Sequence, residues 1–374
     1  MTLDKTKRAF VKYMEEVRAG DPYPSKFIGC LMSILIEPEA TSQNRIMVLT
    51  GYSQATVSLT LQKVQLMLPV RTIKKRGDRK LYYTYDGSPA AFILDLWQKR
   101  LEVQGIDITQ IELMIQRVDE VSVESESVQR FLDYLINMRL YLNVIHELRA
   151  SSIALYEDLM NTGSFDDLDF NDDDALEESL VEDFLQELRA ITMNSELDEE
   201  PPNSYLRLKI EYYTGMKTNL NPLYSQAIAN QMMVLHDVFI EGKTTQEVVE
   251  NSTLLPRSTI SELLSQFVKL GVIKVSKGEG SRIKVYQPAI SFTDLMLSYS
   301  ERLSNQAIAG ISQLSQYITE TRKMLPTSKD ARKFLDVLNS LLKAYTFTHR
   351  FTQSFKAKMV TRLKAEYDRG FVFI

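Results

Sequence analysis

The chain is poor in the residues that build disulfides, metal sites and phosphate-binding loops. Its 374 residues include one cysteine, three histidines and one tryptophan. The single cysteine, Cys30, excludes an intramolecular disulfide, and His146, His236 and His349 are scattered without metal-ligand spacing. The sequence also lacks a Gly-rich phosphate loop, a nucleophile elbow and a His/Cys cluster. We therefore expect neither an enzyme nor a cofactor-binding protein.

Long apolar runs are also missing, and the segment from Met1 to Tyr13 lacks the apolar stretch of a signal peptide. The sequence therefore predicts a cytoplasmic protein without a membrane segment. A formal net charge of −5 excludes a uniformly basic surface, so any binding to nucleic acid depends on local basic patches. The length predicts two or more domains.

The stretch from Thr41 to Tyr85 has the pattern of two short helices followed by a hairpin. The first helix is predicted from about Ser42 to Leu49, and Gly51 supplies the turn. Ser53 is suited to cap the second helix. That helix has apolar residues at helical spacing, namely Val57, Leu61, Val64 and Leu68.

Two β-compatible runs follow, Val70 to Lys75 and Arg79 to Tyr85, around the turn signal Arg76-Gly77-Asp78. Basic residues crowd this hairpin. Two helices, a tight turn and a basic hairpin together predict a winged helix-turn-helix. A further helix is expected from about Ser88 to Arg100.

The same pattern occurs a second time, 203 positions later and without a gap. The second copy predicts helices from Ala227 to Ile240 and from Thr244 to Asn251, with Gly271 ending the next helix. Its hairpin would run from Val272 to Ser276 and from Arg282 to Gln287, around Gly278-Glu279-Gly280. The identical pairs in the two copies include Thr41/Thr244, Thr56/Thr259, Ser58/Ser261, Leu61/Leu264, Lys74/Lys277, Gly77/Gly280, Arg79/Arg282 and Tyr83/Tyr286.

We therefore expect a mainly α fold with small β-hairpin wings, in which two winged helix-turn-helix domains carry long flanking helices of the dimerisation type. The predicted domains are residues 1–162, an acidic linker with a short helix at 163–203, and residues 204–374. Each copy ends in a helical stripe that needs a partner helix, either in the other copy or in a second molecule. These stripes are Phe131, Leu135, Met138, Leu142 and Ile145, and Phe334, Leu338, Leu341 and Tyr345.

Polar positions on the second helix of each copy, together with the basic hairpins, are the candidate DNA-binding residues. Side chains on the exposed face of such a helix hydrogen-bond to base edges or phosphates, and basic hairpin residues meet phosphates or the minor groove. A solvent-exposed surface without a ligand is the alternative for each residue taken singly. The candidates are Gln54, Thr56, Ser58, Gln62, Lys74, Arg76, Arg79 and Lys80 in the first copy, and Arg257, Thr259, Ser261, Ser265, Lys277, Arg282 and Lys284 in the second.

The acidic segment between the copies contains a partial match to a calcium loop. The match consists of Asp167, Asp169, Asn171, Asp173 and Glu178. Asp172 occupies the position where a calcium loop needs glycine for its turn. A solvated linker is therefore the preferred interpretation, with an amphipathic helix from Ala175 to Thr192 inside it.

Aromatic residues on the long helices have two interpretations. They could form walls that hold a cationic effector, or they could belong to the core, as aromatics at helical spacing usually do. The residues concerned are Trp97, Phe131, Tyr134, Tyr141, Tyr299 and Tyr345.

The wing motif Gly77-Asp78-Arg79-Lys80-Leu81-Tyr82-Tyr83, with Ser58-Leu59 before it and Pro24-Ser25-Lys26-Phe27-Ile28-Gly29 near the start, resembles the GbsR branch of the MarR-type winged-helix regulators. The resemblance implies a double-stranded DNA-binding transcriptional regulator whose terminal helices form a dimer interface. It also implies control by a small-molecule effector, which in this branch is associated with choline and osmoprotectant metabolism. Members of this family usually carry one winged domain per chain, whereas this chain carries two.

The second copy departs from the motif, because Ser281 and Ile283 replace Asp78 and Lys80. We therefore expect the first copy to bind DNA more strongly and the two half-sites, about one DNA turn apart, to differ in sequence. The chain would act as an intramolecular pseudo-dimer or as a homodimer. The alternative function is a tandem winged-helix scaffold that binds other proteins.

Overall fold

The structure is a computed structural model that describes residues 2–17, 24–120, 125–162, 181–186, 203–220, 226–277, 282–324 and 328–369. Over these residues it is mainly helical with small antiparallel sheets. The helices are α1 (Leu3–Val17), α2 (Ser25–Leu35), α3 (Gln43–Thr50), α4 (Gln54–Met67), α5 (Pro89–Glu120), α6 (Glu126–Thr162), α7 (Asn203–Leu220), α8 (Gln226–Glu241), α9 (Gln246–Thr253), α10 (Arg257–Lys269), α11 (Phe292–Arg322) and α12 (Lys329–Asp368). The strands are β1 (Thr41–Ser42), β2 (Val70–Lys74), β3 (Leu81–Tyr85), β4 (Thr244–Thr245), β5 (Ile273–Lys277) and β6 (Lys284–Pro288).

We call α2, α3, α4 and their sheet the first module. The predicted cap at Ser53 is confirmed, since its side chain accepts a hydrogen bond from the Thr56 backbone N–H at 3.3 Å. Ser42, predicted as the first residue of its helix, is likewise a cap and accepts from the Arg45 backbone N–H at 3.3 Å. Gly51 ends α3 at φ 78°, a left-handed conformation that glycine adopts without strain. The apolar stripe of α4 is buried, which fixes the opposite face of α4 toward solvent.

The second module consists of α8, α9, α10 and their sheet, and it repeats the element order of the first. Its strands and the starts of α9 and α10 lie 203 positions after their counterparts. The caps differ, because Pro256 precedes α10 without a side-chain hydrogen bond, and Leu254 takes the place of Gly51 at φ 55°. Gly271 follows the end of α10 at φ 72°, as predicted.

Each module contains a short strand that the sequence patterns did not predict. Thr41 pairs with Tyr83 and Ser42 with Tyr82, so β1 joins the predicted hairpin in the order β1-β3-β2. The second sheet has the equivalent order β4-β6-β5. The added strand ties the start of α3 or α9 to its hairpin, and so fixes the hairpin beside the helices.

The helix predicted to end near Arg100 is much longer, and that prediction was wrong. Helix α5 continues through Gly105 to Glu120. Apolar residues spaced three to five positions apart along the added part are buried, which compensates for the unfavourable glycine. They are Val103, Ile108, Ile111, Met114 and Val118. No helix in the described part of the chain is long and apolar enough to cross a membrane.

The chain divides into two compact units, and neither unit is a continuous stretch. Unit 1 comprises residues 1–100, 150–170 and 302–353, and unit 2 comprises residues 101–149, 171–301 and 354–374. Each unit therefore contains one module and parts of the long helices of both sequence repeats. The compact units and the predicted domains 1–162, 163–203 and 204–374 divide the chain differently.

A phenylalanine at the same position of the repeat packs in the core of each unit. In unit 1 the Phe334 ring on α12 packs edge to face on Phe10 of α1, with centroids 5.4 Å apart. In unit 2 the ring of Phe131, the counterpart of Phe334 in the repeat, packs on Tyr212 of α7 at 5.7 Å. Both stripes are buried or half-buried within the single chain. The first sequence repeat thus supplies core residues to the unit that holds the second module. The second repeat likewise supplies core residues to the unit that holds the first module.

The calcium-loop match lies outside the described residues, as does most of the acidic segment. Residues 181–186, inside the helix predicted from Ala175 to Thr192, are helical. Glu182, which lies in this helical piece, forms an ion pair with Lys356 of α12.

Candidate nucleic-acid interface

The solvent-facing side of α4 presents the predicted polar residues. Gln54 and Gln62 are exposed and Ser58 is half-buried, while the stripe on the other side of the helix is buried. The Thr56 hydroxyl lies 3.0 Å from the Ser53 hydroxyl and is therefore engaged in the helix cap. Gln54, Ser58 and Gln62 lie on one face because they are four residues apart.

The glutamines of α4 differ in what their amides contact. The Gln65 amide donates to the Thr72 hydroxyl at 2.8 Å and to the Val70 carbonyl at 3.3 Å, which ties the end of α4 to β2. Gln54 and Gln62 make no side-chain hydrogen bond to a described residue. Their amides are therefore available to a ligand, whereas the Gln65 amide is committed to the fold.

The turn of the first hairpin is shaped by Asp78. Gly77 adopts φ 82°, and the Asp78 carboxylate accepts hydrogen bonds from the Tyr82 hydroxyl at 2.7 Å and the Lys80 backbone N–H at 2.8 Å. These hydrogen bonds, that of Tyr82 foremost, hold the pKa of Asp78 below its ordinary value. The carboxylate thus organises the turn from which the neighbouring basic side chains extend.

The basic residues of the first hairpin fall into two groups. Arg71 forms an ion pair with Asp86, while the Lys75 ammonium lies 3.3 Å from Glu39 and 4.5 Å from the centre of the Tyr82 ring. The other four are exposed and form no ion pair with any residue that the structure describes; they are Lys74, Arg76, Arg79 and Lys80. All four are predicted site residues, and Asp78 is the carboxylate in the turn between them.

The second module exposes a different set. Arg257, Ser261 and Ser265 are exposed on α10 and Thr259 is half-buried. On the hairpin, the predicted Lys277, Arg282 and Lys284 are exposed, and none of them pairs with a carboxylate of the described chain. The hairpin turn, including Gly278, Gly280 and Ser281, lies outside the described residues.

Three residues on these faces were missed by the sequence analysis. Ala55 and Leu59 are exposed on α4, with 63% of the Leu59 surface accessible, and Glu262 is exposed on α10. Position 262 is the counterpart of position 59 in the repeat. The signal that would have found them is their spacing, because each lies next to a predicted polar residue and outside the apolar stripe.

The described aromatic candidates are core residues. Phe131, Tyr134, Tyr141 and Tyr345 are almost fully buried, and Trp97 packs on Tyr156 with ring centroids 4.9 Å apart. The side chain of Tyr299 lies outside the described residues. Among described side chains, no group of three or more His, Cys, Asp or Glu residues is placed to hold a metal ion.

No protein-family model matches the chain, and no curated protein is significantly similar to it in sequence. The resemblance to the GbsR and MarR-type regulators thus remains an expectation that the motif residues alone support.

Proposed function

We propose that the chain is a double-stranded DNA-binding transcriptional regulator built from two winged helix-turn-helix modules. The observation that carries the proposal is the group of four exposed cations on the first hairpin that form no ion pair with a described residue. Gln65 ties this hairpin to α4, the helix with the exposed polar face. Phosphates bind such cations with release of counterions, and the adjacent helix face supplies hydrogen-bonding groups for base edges. The overall negative charge is compatible with this function because the positive charge is local.

The same proposal treats the chain as an intramolecular pseudo-dimer. The support for this is the burial of the two helical stripes, which include Phe131 and Phe334, within one chain. These stripe residues are therefore not exposed for contact with a second molecule. Light scattering should give the mass of one chain in solution. A stable mass of two chains would contradict the pseudo-dimer without affecting DNA binding.

Binding to mixed-sequence duplex DNA, measured over a range of salt concentrations, tests the function. Affinity should fall steeply with salt, with a slope of about 0.9 for each phosphate contacted. The double variant Arg76→Ala/Arg79→Ala should bind more weakly to all sequences and reduce that slope by about 2.

A matched control is available in the same hairpin. Arg71→Ala/Lys75→Ala removes the same charge, but these side chains contact Asp86, Glu39 and Tyr82. The control should therefore change the slope much less. Equal losses in the two double variants would show a general charge effect rather than contact by Arg76 and Arg79.

A protein-binding scaffold is the second candidate function. The observation in its favour is the exposure of large apolar side chains, with 86% of Leu66 and 72% of Leu270 accessible. No duplex binding at low salt would overturn the DNA proposal in favour of the scaffold.

A further inference from the structure

The two helix faces carry different chemistry, and we infer that they recognise different base pairs: α4 recognises A·T pairs and α10 recognises G·C pairs. The inference rests on the proposed DNA-binding function and adds the composition of the site to it. The duplex that fits this chain has one A·T-rich block for the first module and one G·C-rich block for the second.

The face of α4 combines amides with apolar groups. Gln54 and Gln62 have amides without internal partners, and an amide makes a bidentate pair with the N6 and N7 atoms of adenine. Ala55 and Leu59 lie one helical turn apart on the same side and are exposed, and apolar side chains contact the C5-methyl group of thymine. Helix α4 contains no arginine, aspartate or glutamate, and its one side chain of a guanine-binding type, Lys63, lies one turn beyond Leu59, away from the N-terminal residues that contact base edges in this type of module.

The face of α10 carries the complementary set. Arg257 is exposed at the first position of α10 and has no ion pair within the described chain. A guanidinium makes a bidentate pair with the O6 and N7 atoms of guanine, and a carboxylate such as that of Glu262 accepts from the N4 amino group of cytosine. Each faces the same way as its counterpart on α4, since Arg257 corresponds to Gln54 and Glu262 to Leu59.

The stability of the helices does not explain why Arg257, Leu59 and Glu262 occupy these exposed positions. An arginine at a helix N-terminus is opposed by the helix dipole, and an exposed leucine contributes little burial. Leu59 is 63% accessible, and the internal contact of the Glu262 carboxylate is a single exposed hydrogen bond of 3.3 Å from Gln266. Both side chains are therefore free to meet a ligand at the front of the helix, where base contacts are made in this type of module.

Selection of duplexes from a random library with the full chain tests the inference. The enriched duplexes should contain an A·T-rich block and a separate G·C-rich block. Two base analogues then test single atoms: uracil removes the methyl group of thymine, and 7-deazaguanine removes N7 of guanine. Uracil in the A·T block should weaken wild-type binding about fourfold, and 7-deazaguanine in the G·C block about fivefold.

Variants assign each effect to its face. Leu59→Ala should weaken the response to uracil, with Ala55 still in place, and should keep the response to 7-deazaguanine. Arg257→Ala should keep the response to uracil and lose the response to 7-deazaguanine. Leu66→Ala, which truncates an exposed leucine at the far end of α4, is the matched control and should keep both responses. All three side chains are exposed, so the variants should fold.

Two outcomes overturn the inference in distinguishable ways. Enriched sites without the two blocks, or analogue responses that are the same in Leu59→Ala, Arg257→Ala and the wild type, would contradict the base assignment while the proposed DNA binding stands. If no duplex is enriched at low salt, the proposed function fails together with the inference.

Discussion

The two modules bury their polar groups in different places. In the second module Asp237 of α8 is fully buried, and its carboxylate oxygen Oδ1 contacts the Lys209 ammonium at 2.6 Å and the Ser252 hydroxyl at 2.7 Å. The repeat places Ile34 and Leu49 at the positions of Asp237 and Ser252, and both are buried and apolar. In the second module the Asp237 carboxylate thus joins α8 to α9 through a hydrogen bond, whereas the equivalent positions of α2 and α3 belong to one apolar core.

Unit 1 has a half-buried carboxylate beside the first module. Burial raises the pKa of the Glu15 carboxyl on α1, and it also raises the pKa of the Tyr52 hydroxyl in the turn. Burial also raises the pKa of the Cys30 thiol to about 12, so this thiol stays protonated. At the positions of Tyr52 and Cys30 the second module has Leu255 and Met233.

One feature is common to both units. Lys7 on α1 and Lys209 on α7 are both buried, and each forms ion pairs with two carboxylates, Glu37 and Asp330 or Asp237 and Glu241. The comparison shows that this set of helices accommodates a buried lysine in each unit at a different position, where carboxylates pair with its charge. A shared fold therefore does not require a shared interior.

The largest effect is expected from breaking the buried ion pair. Asp237→Ala leaves the Lys209 ammonium with one carboxylate and removes the acceptor of the Tyr213 and Ser252 hydroxyls. The free energy of unfolding should fall by about 3–5 kcal/mol, measured by urea denaturation.

A triple variant separates lost attraction from the cost of an unpaired charge. Lys209→Met/Asp237→Leu/Glu241→Gln removes the three charges of the network and should be more stable than Asp237→Ala. If the triple variant is the less stable of the two, the network contributes net stability, and an apolar interior does not replace it.

A buried histidine gives the second module a pH-dependent contribution to stability that the first module lacks. Burial lowers the pKa of His236 from 6.5 to about 4, whereas the counterpart in the first module is Ser33, which does not titrate. The unfolded chain binds this proton at a higher pH than the folded chain, so the stability from His236 is complete above about pH 6.5 and is lost as the pH falls toward 4. The loss should reach about 3 kcal/mol.

His236→Gln should remove this part of the pH dependence. Burial raises the pKa of Asp107 to about 7, which acts with the opposite sign over a similar range. The informative quantity is therefore the difference in unfolding free energy between wild type and variant at each pH. A constant difference from pH 4 to 7 would show that His236 titrates normally in the folded protein.

The smallest effect concerns the turn between the helices. Leu254 holds φ 55° with 66% of its surface accessible, whereas Gly51 holds the equivalent position in the first module. A non-glycine residue in the left-handed region costs about 1–2 kcal/mol. Leu254→Gly should therefore raise stability by about 1 kcal/mol, and Gly51→Leu should lower it by a similar amount. Thermal unfolding measures both, and a loss of stability in Leu254→Gly would show that the leucine side chain makes a stabilising contact.

Sequence patterns predicted the modules well because their signals are local. Ser53 caps α4 and Gly51 ends α3, and both effects depend only on neighbouring residues. The exposed polar face of α4 followed from the spacing of Val57 and Leu61 on the buried side. The length of α5 could not be predicted in this way, because the burial of its added apolar residues outweighs Gly105 only in the tertiary structure.

For the candidate site, the sequence predicted which basic residues lie on the hairpin but not which of them have partners. The basic residues of the first hairpin are evident from the sequence, but their charges alone do not separate Arg71 and Lys75, which have partners, from Arg76 and Arg79, which have none. This separation depends on Asp86, which pairs with Arg71, and on Glu39 and Tyr82, which contact Lys75. It is the separation that makes the matched double variants informative.

The sequence by itself determined the repeat, the caps and the two amphipathic helix faces, because these depend on identity, spacing and neighbouring residues. Only the tertiary structure decided which charged residues are buried and which parts of the chain share a core. Lys209 and Asp237 are residues of charged types that usually lie at the surface, yet both are buried inside unit 2. Phe334, from the second repeat, lies in the core of unit 1. The physical reason is that burial depends on what covers a side chain, and here the covering residues come from distant parts of the chain.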